Sequence, residues 1–297
     1  MITKGIHITG VLFAGLLMLA SCESPLEYDV NAPPKLTIIS SLSPDANQKV
    51  YVYASLSPTD STQFYTPDNL VVDLTERESD ITIRLEPATE SGDHFFSVPS
   101  NFVKAGLSYS ITAFAPGFPL VQSSTEIPNP SSVSDLVIKD VVIKPSDLHE
   151  FKKNIHYTLQ FNINHFESNR YYHLVFYNQY SSNENFLFIK DPNPSDDQKF
   201  IHHYDYGVLV DKDDLNPNDP LTFEFDDYVI NDNDLIRVYV ELRTITEEYY
   251  KYHSTLARQL IARQDQWSEP VTIFNNIDGG FGNFSGFAHS ITSFDLP

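Results

Sequence analysis

The sequence contains a single cysteine, Cys22, so a disulfide within the chain is excluded. Basic residues are also scarce, because 19 Lys and Arg stand against 40 Asp and Glu and the formal net charge is -21. Such a surface repels phosphate backbones and offers no basic patch, so we expect no nucleic-acid partner. Long apolar runs are missing as well, since no segment after Cys22 approaches the roughly 20 residues of a membrane-spanning helix.

Catalytic motifs are a further absence. The sequence has no G-x-S-x-G nucleophile elbow, and Lys153 stands where a zincin motif beginning at His149 needs its second histidine. The glycines of residues 279–286 lack the spacing and the following lysine of a phosphate-binding loop. Glycines interleaved with aromatic residues predict a tight turn with a close backbone approach there instead. The sequence therefore favours a protein that is not an enzyme. An enzyme acting on surface glycans or peptides stays an alternative, because a glycosidase needs only two carboxylates and the chain has 40 acidic residues.

An export signal is predicted at the start of the sequence. A short polar segment precedes an apolar run over residues 8–20, which is too short to cross a bilayer but suits a signal peptide. The tetrapeptide Leu-Ala-Ser-Cys that ends at Cys22 resembles the lipobox of bacterial lipoproteins, with Ser21 in place of the commoner glycine or alanine. We therefore predict a lipoprotein signal peptide over residues 1–21 and lipidation of Cys22. An ordinary secretory signal with an unrelated cysteine is the alternative.

Residues 22–34 are polar and proline-rich, so they are predicted to form an extended, acylated tether before a folded body. Two or more acyl chains hold a protein stably on a bilayer, and the resemblance to lipoproteins implies that number. The carboxylates of Glu23, Glu27 and Asp29 resemble the acidic export signals of surface lipoproteins in Bacteroidota. We expect a lipid-anchored outer-membrane protein at the cell surface, with the periplasmic face as the alternative.

Period-2 alternation of apolar residues predicts a mostly β protein. In the stretch KVYVYASL, Val50 and Val52 share one face of a strand, while Tyr51 and Tyr53 share the other. Several such segments between residues 35 and 128 predict an N-terminal β-sandwich. They are residues 35–41, 49–56, 70–74, 81–85, 94–98, 108–114 and 120–126.

A domain boundary is predicted at residues 127–134, which are rich in proline and serine and lack periodicity. Alternating segments resume after it, residues 183–190 among them, so residues 135–297 are predicted to form a larger β-sandwich or jelly-roll-like domain. One segment departs from this pattern, because Thr244 to Glu247 fits a capping box and apolar residues then recur at helical spacing. These are Ile245, Tyr249, Tyr252, Leu256 and Leu260. The pattern predicts one amphipathic helix near residues 245–262 that packs on a sheet rather than in a partner's groove.

Two segments are candidate metal sites. Asp211, Asp213 and Asp219 offer closely spaced oxygen ligands of the kind that calcium takes. The segment lacks the glycine and the final glutamate of an EF-hand loop, so solvated turns are favoured and Ca²⁺ stays an alternative, with no other cofactor expected. His203 and Asp205 would share one face of a strand, but two ligands do not complete a zinc site.

Tyrosine and phenylalanine are abundant, with 17 and 21 residues. Their side chains offer large contact areas at low entropic cost, so some are candidates for stacking on sugars or binding a partner, although most are expected in the core. The candidates are Tyr171, Tyr172, Tyr249, Tyr252, Phe281 and Phe284. Ser61 is a separate candidate, since Asp60-Ser61-Thr62 resembles the O-glycosylation sequon of Bacteroidota, with an ordinary turn as the favoured alternative.

Several stretches together resemble a Bacteroidota surface-lipoprotein family of unknown function, domain of unknown function 4249. They are KLTIISSLSPD with KVYVYASLSP, GLSYSITAFAPGF with STEIP, RYYHLVF, and EPVTIFNNIDGGFGNFSGF, which is the most specific. The resemblance implies an N-terminal immunoglobulin-like or transthyretin-like sandwich, a C-terminal β-rich domain and no established catalytic residues. It also implies a partner, because members are usually encoded beside a TonB-dependent outer-membrane receptor.

These inferences favour a surface-anchored lipoprotein that acts as a binding or accessory component of a TonB-dependent uptake system. Its expected partners are the membrane, through the lipid on Cys22, and the TonB-dependent receptor. An adhesion or envelope-structural module without a small-molecule ligand is the main alternative, and a flat, pocketless surface with an exposed aromatic patch would favour it.

Overall fold

Strands form where apolar and polar residues alternate most regularly. In the stretch that begins at Lys49, Val50, Val52 and Ala54 are buried while the intervening residues are half-buried, which confirms the predicted alternation. The structure is a computed structural model. It describes residues 33–45, 48–55, 65–146, 153–164, 170–183, 185–193, 200–215, 219–229, 235–264 and 268–296.

The N-terminal part contains eight described strands, one more than the alternation predicts. They are β1 (Leu36–Leu42), β2 (Lys49–Ala54), β3 (Val71–Glu76), β4 (Ile81–Arg84), β5 (Glu86–Glu90), β6 (Asp93–Ser97), β7 (Ser108–Phe114) and β8 (Val121–Glu126). The additional strand is β5, which is largely exposed and polar. β5 is a strand because it pairs with β6, and its sequence shows no alternation of apolar residues.

The C-terminal part contains nine described strands and one α-helix. They are β9 (Ser132–Pro145), β10 (Lys153–Asn164), β11 (Tyr171–Tyr180), β12 (Phe188–Lys190), β13 (Phe200–His202), β14 (Val208–Val210), β15 (Leu221–Val229), β16 (Ile236–Ile245), α1 (Glu247–Ala262) and β17 (Phe281–Asp295). The described strands form three sheets. The largest runs β13-β14-β11-β16-β17-β1-β2-β6-β5 with β12 beside β11, and the others are β4-β3-β7-β8 and β15-β10-β9.

The four-stranded sheet packs against the part of the large sheet that contains β1 and β2. The three-stranded sheet packs against the part that contains β11 and β16. One apolar core joins β1 and β2 to β3, β7 and β8, with Leu36, Ile38 and Ile111 fully buried. A second core joins β11 and β16 to β10 and β15, with Phe161 and Phe176 fully buried. The protein is therefore mostly β, and each core lies between two sheets, which is the predicted β-sandwich architecture.

The last strand, β17, pairs antiparallel with β16 and parallel with β1. The prediction of a tight turn over residues 279–286 is wrong from Phe281 onward, where the chain is a strand. The predicted close backbone approach is confirmed, because a Cβ on Gly282, at φ +110°, would lie 2.0 Å from the carbonyl oxygen of Ile38. Glycine is thus required where β17 lies beside β1. Because these glycines carry no side chain, they also interrupt the apolar alternation from which a strand is predicted.

Helix α1 begins at Glu247, two residues later than predicted. Thr246 is the N-cap and accepts a hydrogen bond from the backbone N–H of Tyr249, whereas Thr244 lies in β16 and accepts one from Ser131. The buried face also differs from the predicted apolar stripe. It consists of Tyr249, Tyr250, His253, Ser254 and Ala257. His253 is buried in place of the predicted Leu256, because its ring contacts the ring of another histidine, His203.

All described residues from Pro34 onward belong to one compact unit. The division at residues 127–134 lies between the two apolar cores, and independent folding of the two parts stays a prediction. Within the described part of the chain, no helix combines the length and apolarity that spanning a membrane requires.

Candidate functional site

A groove of about 560 Å³ lies on the outward face of the four-stranded sheet. Its floor is formed by polar side chains of β7 and β8, which on β7 alternate with the buried Tyr109, Ile111 and Ala113. Ser110 pairs with Ser124 and Thr112 pairs with Gln122 across these strands. Hydroxyl and amide groups are therefore set side by side in two rows. In the sequence these residues are ordinary polar positions of two strands.

One wall of the groove is formed by residues 270–278, here called the strap, which have no regular secondary structure apart from one β-bridge. Helix α1 holds the first part of the strap. The side-chain oxygen of Gln259 accepts a hydrogen bond from Val271 N at 2.6 Å, and Thr255 Oγ1 accepts one from Phe274 N at 3.0 Å. Phe274 is thereby presented to the groove from a fixed backbone.

Strands β8 and β17 hold the second part of the strap. Asp278 and Gln122 exchange backbone hydrogen bonds of 2.9 and 3.1 Å, and the Gln122 amide also donates to the Asp278 carboxylate at 3.1 Å. The Asn276 side chain binds both backbone polar groups of Phe284, at 2.7 and 2.9 Å. Because both parts of the strap are tied down, the wall is preformed.

Two charged residues complete the lining. Arg77 follows β3, and Glu248 lies in the first turn of α1. Among the described residues, the side chains of Arg77, Ser110 and Thr112 have no hydrogen-bond partner, so their donors and acceptors are available to a ligand.

The helix that supplies Glu248 is positioned next to a buried ionic network centred on Glu241. This carboxylate accepts hydrogen bonds from Arg243 at 2.6 Å and Tyr177 at 2.8 Å, and it lies 2.9 Å from His289 Nδ1. Burial raises the pKa of Glu241, but the hydrogen bonds from His289 and Arg243 outweigh it and hold the pKa well below its ordinary value. The hydrogen bond between His289 and Glu241 also raises the pKa of His289.

Three histidines from different elements meet on the buried side of α1 and are here called the histidine cluster: His173, His203 and His253. The rings of His173 and His203 stack with centroids 4.8 Å apart, and His203 Nε2 lies 2.9 Å from His253 Nδ1. Burial, with the charge of Arg243, lowers the pKa of His203 to about 4. Burial also lowers the pKa of His173 and His253 well below the ordinary value, so all three are neutral at pH 7.

Hydrogen bonds in the cluster determine which nitrogens carry protons. The backbone N–H of Asp205 faces His203 Nδ1 at 3.1 Å, so the proton of neutral His203 lies on Nε2 and is donated to His253 Nδ1. His253 Nε2 then carries its own proton, and this buried group has no hydrogen-bond partner among the described residues. Neither Nε2 of His203 nor Nδ1 of His253 keeps a free lone pair, so the pair is not arranged as metal ligands.

The family described as Domain of unknown function (DUF4249) matches residues 23–292. The chain belongs to this family. No curated protein matches the sequence. Among solved structures, the crystal structure of Lamprey immune protein is 8% identical and covers 89% of this chain and 98% of that chain, but at a TM-score of 0.14 nothing follows from the likeness.

The predicted calcium ligands of this DUF4249 member do not converge with other ligands in the described part of the chain, which contains no group of three or more His, Cys, Asp or Glu placed to hold a metal ion. Asp211 caps the short 3-10 turn Lys212–Asp214 by accepting a hydrogen bond from Asp213 N at 3.0 Å. Asp213 is paired with Lys212 at 2.9 Å. Asp219 lies beyond residues 216–218, which the structure does not describe, and calcium binding stays a prediction.

The six predicted aromatic contact residues are divided between core and surface. Four of them are buried: Tyr171, Tyr172, Tyr249 and Phe284. Phe281 is 46% exposed, with the Lys35 ammonium 5.2 Å from its ring centroid, and Tyr252 is half-buried. Burial gives the first four a packing role, and a contact role for any of the six stays a prediction.

Exposed apolar side chains form a continuous surface at residues 186–189, here called the apolar strip. Residues 183–190 are predicted to be one strand, but only β12 is one, and it pairs with β11. Phe188 packs edge-on against Tyr180 with centroids 5.4 Å apart, while Phe186 is 61% exposed. Contiguous exposed apolar residues are typical of protein interaction sites.

Two predicted modification sites, Cys22 and Ser61, lie outside the described residues, as do the predicted signal peptide and almost all of the tether. Lipidation and O-glycosylation stay predictions.

Proposed function

We propose that this chain is a lipid-anchored outer-membrane protein at the cell surface, where it binds an extracellular ligand as an accessory component of a TonB-dependent uptake system. The observation that carries the binding role is the preformed groove. Its volume of about 560 Å³ falls in the range of roughly 300–1,000 Å³ that small-molecule sites occupy. Three of its polar side chains, those of Arg77, Ser110 and Thr112, have no hydrogen-bond partner among the described residues, and both ends of its strap wall are fixed.

The proposed location and partner rest on the sequence. Cys22 follows a signal-like apolar run in a lipobox-like context, and an acidic tether comes after it. The resemblance to Bacteroidota surface lipoproteins supplies the TonB-dependent receptor as the partner. Family membership supports this resemblance over residues 23–292.

Replacement of Cys22 tests the anchor. In Cys22→Ala the acceptor thiol is gone, so we expect loss of incorporated radiolabelled palmitate and a shift of the protein from the membrane fraction to the soluble fraction. Ser21→Ala, which introduces a commoner lipobox residue, is the matched control and keeps both properties. Persistent membrane association of Cys22→Ala would contradict the proposal. Protease treatment of intact cells then separates surface display from a periplasmic position.

The receptor partnership is tested by affinity purification of tagged full-length protein after gentle detergent extraction from its native cells. We expect mass spectrometry to identify a TonB-dependent receptor that is absent from the untagged control. Recovery of intact lipoprotein without a receptor, at several detergent concentrations, would count against the partnership.

An adhesion or envelope-structural module is the second candidate, and the apolar strip favours it. The double variant Phe186→Ser with Leu187→Ser separates the two functions, because both side chains are more than half exposed and their loss leaves the cores intact. Loss of cell adhesion or self-association with the receptor still co-purifying would support the second candidate. Loss of receptor co-purification would place the strip in the receptor interface.

A further inference from the structure

We propose that the groove between β7, β8 and the strap binds a polyhydroxylated ligand of the carbohydrate class, an assignment that rests on the binding role proposed above. The floor of the groove carries serine and threonine hydroxyls, each of which both donates and accepts hydrogen bonds. Sugar hydroxyls have the same dual character. A row of such groups can therefore satisfy several ring hydroxyls at once, in whichever direction each bond runs.

The charged residues of the lining match this class of ligand better than an ion. Arg77 only donates, while Glu248 and Asp278 only accept, and all three line the same groove. Two carboxylates beside one guanidinium repel an anionic ligand such as a phosphate ester. For a neutral sugar, however, a charged donor and charged acceptors at different points of the rim give the stronger, charge-assisted hydrogen bonds.

Phe274 supplies the apolar element that a sugar ring requires. The C–H faces of a pyranose are apolar, and an aromatic ring buries such a face in large contact area. Phe274 lines the groove from the strap, half-buried, and its backbone N–H is fixed by Thr255 at 3.0 Å. The Lys251 ammonium lies 5.6 Å from the ring centroid and helps to hold the ring in place.

The groove is also prepared for binding before a ligand arrives. The strap is held by α1 through Gln259 and Thr255, and by β8 through the paired backbones of Gln122 and Asp278. Strand positions such as Ser110 and Thr112 are rigid by their sheet pairing. Little conformational entropy is then lost on binding, which favours recognition through several individually modest hydrogen bonds.

The test is isothermal titration calorimetry on detergent-solubilised full-length protein. The probes are neutral hexasaccharides of glucose, mannose, xylose and galactose, with a tryptic digest of casein as the peptide probe. We expect at least one hexasaccharide to bind and the peptides not to bind. Arg77→Ala and Phe274→Ala should each weaken that binding by about 10-fold or more, the loss of one charged hydrogen bond or one aromatic contact.

Two matched variants outside the groove serve as controls. Arg84→Ala removes an exposed arginine on β4 that pairs with Asp73, and Tyr228→Ala removes an exposed aromatic residue of β15, which lies in a different sheet. Both should change the dissociation constant by less than about 2-fold, because neither residue lines the groove. Circular dichroism of all four variants checks that the fold is retained.

Each contrary result overturns a defined part of the proposal. Binding of peptides without sugars overturns the ligand class but leaves the binding role. Sugar binding that Arg77→Ala and Phe274→Ala leave unchanged overturns the groove as its site. No binding of any probe while a receptor co-purifies overturns the carbohydrate assignment and leaves the partnership standing. Cleavage of a bound hexasaccharide, seen by chromatography, overturns a binding-only role and supports an enzyme that uses the groove carboxylates.

Discussion

At Gly282 the chain combines a φ of +110° with a carbonyl oxygen, that of Ile38, 2.0 Å from where a Cβ would stand. We predict that Gly282→Ala lowers the free energy of unfolding by about 3 kcal/mol or more, because both strain and a backbone clash must be relieved. Gly117→Ala is the control, since Gly117 has φ +86° but, apart from its chain neighbours, no atom of the described residues within 4 Å of its Cβ position, so only about 1 kcal/mol of strain is expected. Equal losses in urea unfolding would contradict the steric explanation.

The histidine cluster makes stability depend on pH. His203 has a pKa of about 4 in the fold, against about 6.5 in an unfolded chain. Between these values the unfolded chain binds more protons, so the free energy of unfolding falls as pH falls, by up to about 1.4 kcal/mol per pH unit for each such histidine. Protonation of His203 at Nδ1 also places two N–H groups against each other, because Nδ1 faces the backbone N–H of Asp205.

A histidine variant separates this effect from the titration of carboxylates. In urea unfolding at pH 7, 6, 5 and 4.5, His203→Gln should lose less stability on acidification than the wild type. His94→Gln, which removes an exposed histidine whose ring contacts the hydroxyl of Thr89, is the matched control and should keep the wild-type slope. Identical slopes in the wild type and His203→Gln would show that the cluster does not titrate as its burial requires.

At the scale of elements, the start of α1 depends on one hydroxyl. Thr246 Oγ1 accepts hydrogen bonds from Tyr249 N and from Gly286 N in β17, both at 3.4 Å. We predict that Thr246→Ala costs about 1–2 kcal/mol in thermal or urea unfolding, as the loss of an N-cap does. Thr272→Ala, at an exposed threonine of the strap, should change stability by less than about 0.5 kcal/mol. An unchanged Thr246→Ala would mean that water replaces the cap without cost.

Elements are predictable where one face alone is buried. β1, β2 and β7 show this alternation and lie within one or two residues of the predicted bounds. β17 does not, because its glycines serve close backbone contacts rather than a pattern. The apolar pattern does not predict the buried face of α1 for a related reason. His253 is buried because its ring pairs with His203 and not because it is hydrophobic.

At the scale of the molecule, the groove depends on contacts that no local pattern contains. Gln122 and Asp278, which join β8 to the strap, are 156 positions apart in the sequence, and the two paired histidines are 50 apart. The residues of the groove are ordinary polar strand positions until the strap is placed beside them. Fold class therefore follows from the sequence, while the candidate site requires the assembled structure.

The path of β17 leads to a prediction about domain independence. Phe284 and Ala288 belong to the first apolar core, Phe294 packs on the second, and β1 has β17 as its parallel neighbour. Residues 34–128 alone lack this neighbour and also the core residue Ile277. We therefore expect this fragment not to unfold cooperatively in urea, because lost core side chains cost several kcal/mol against a total stability of about 5–15 kcal/mol.

The matched control restores the strand to the same fragment. Residues 268–296, fused ahead of residue 34 through a flexible Gly-Ser linker, can again lie parallel to β1 and return Phe284 and Ala288 to the core. Cooperative unfolding, followed by circular dichroism, should appear in the fusion and not in the fragment. If the fragment unfolds as sharply as the fusion, residues 35–128 are an independent domain and β17 only attaches to it. If only the fusion does so, the end of the chain completes the first sandwich.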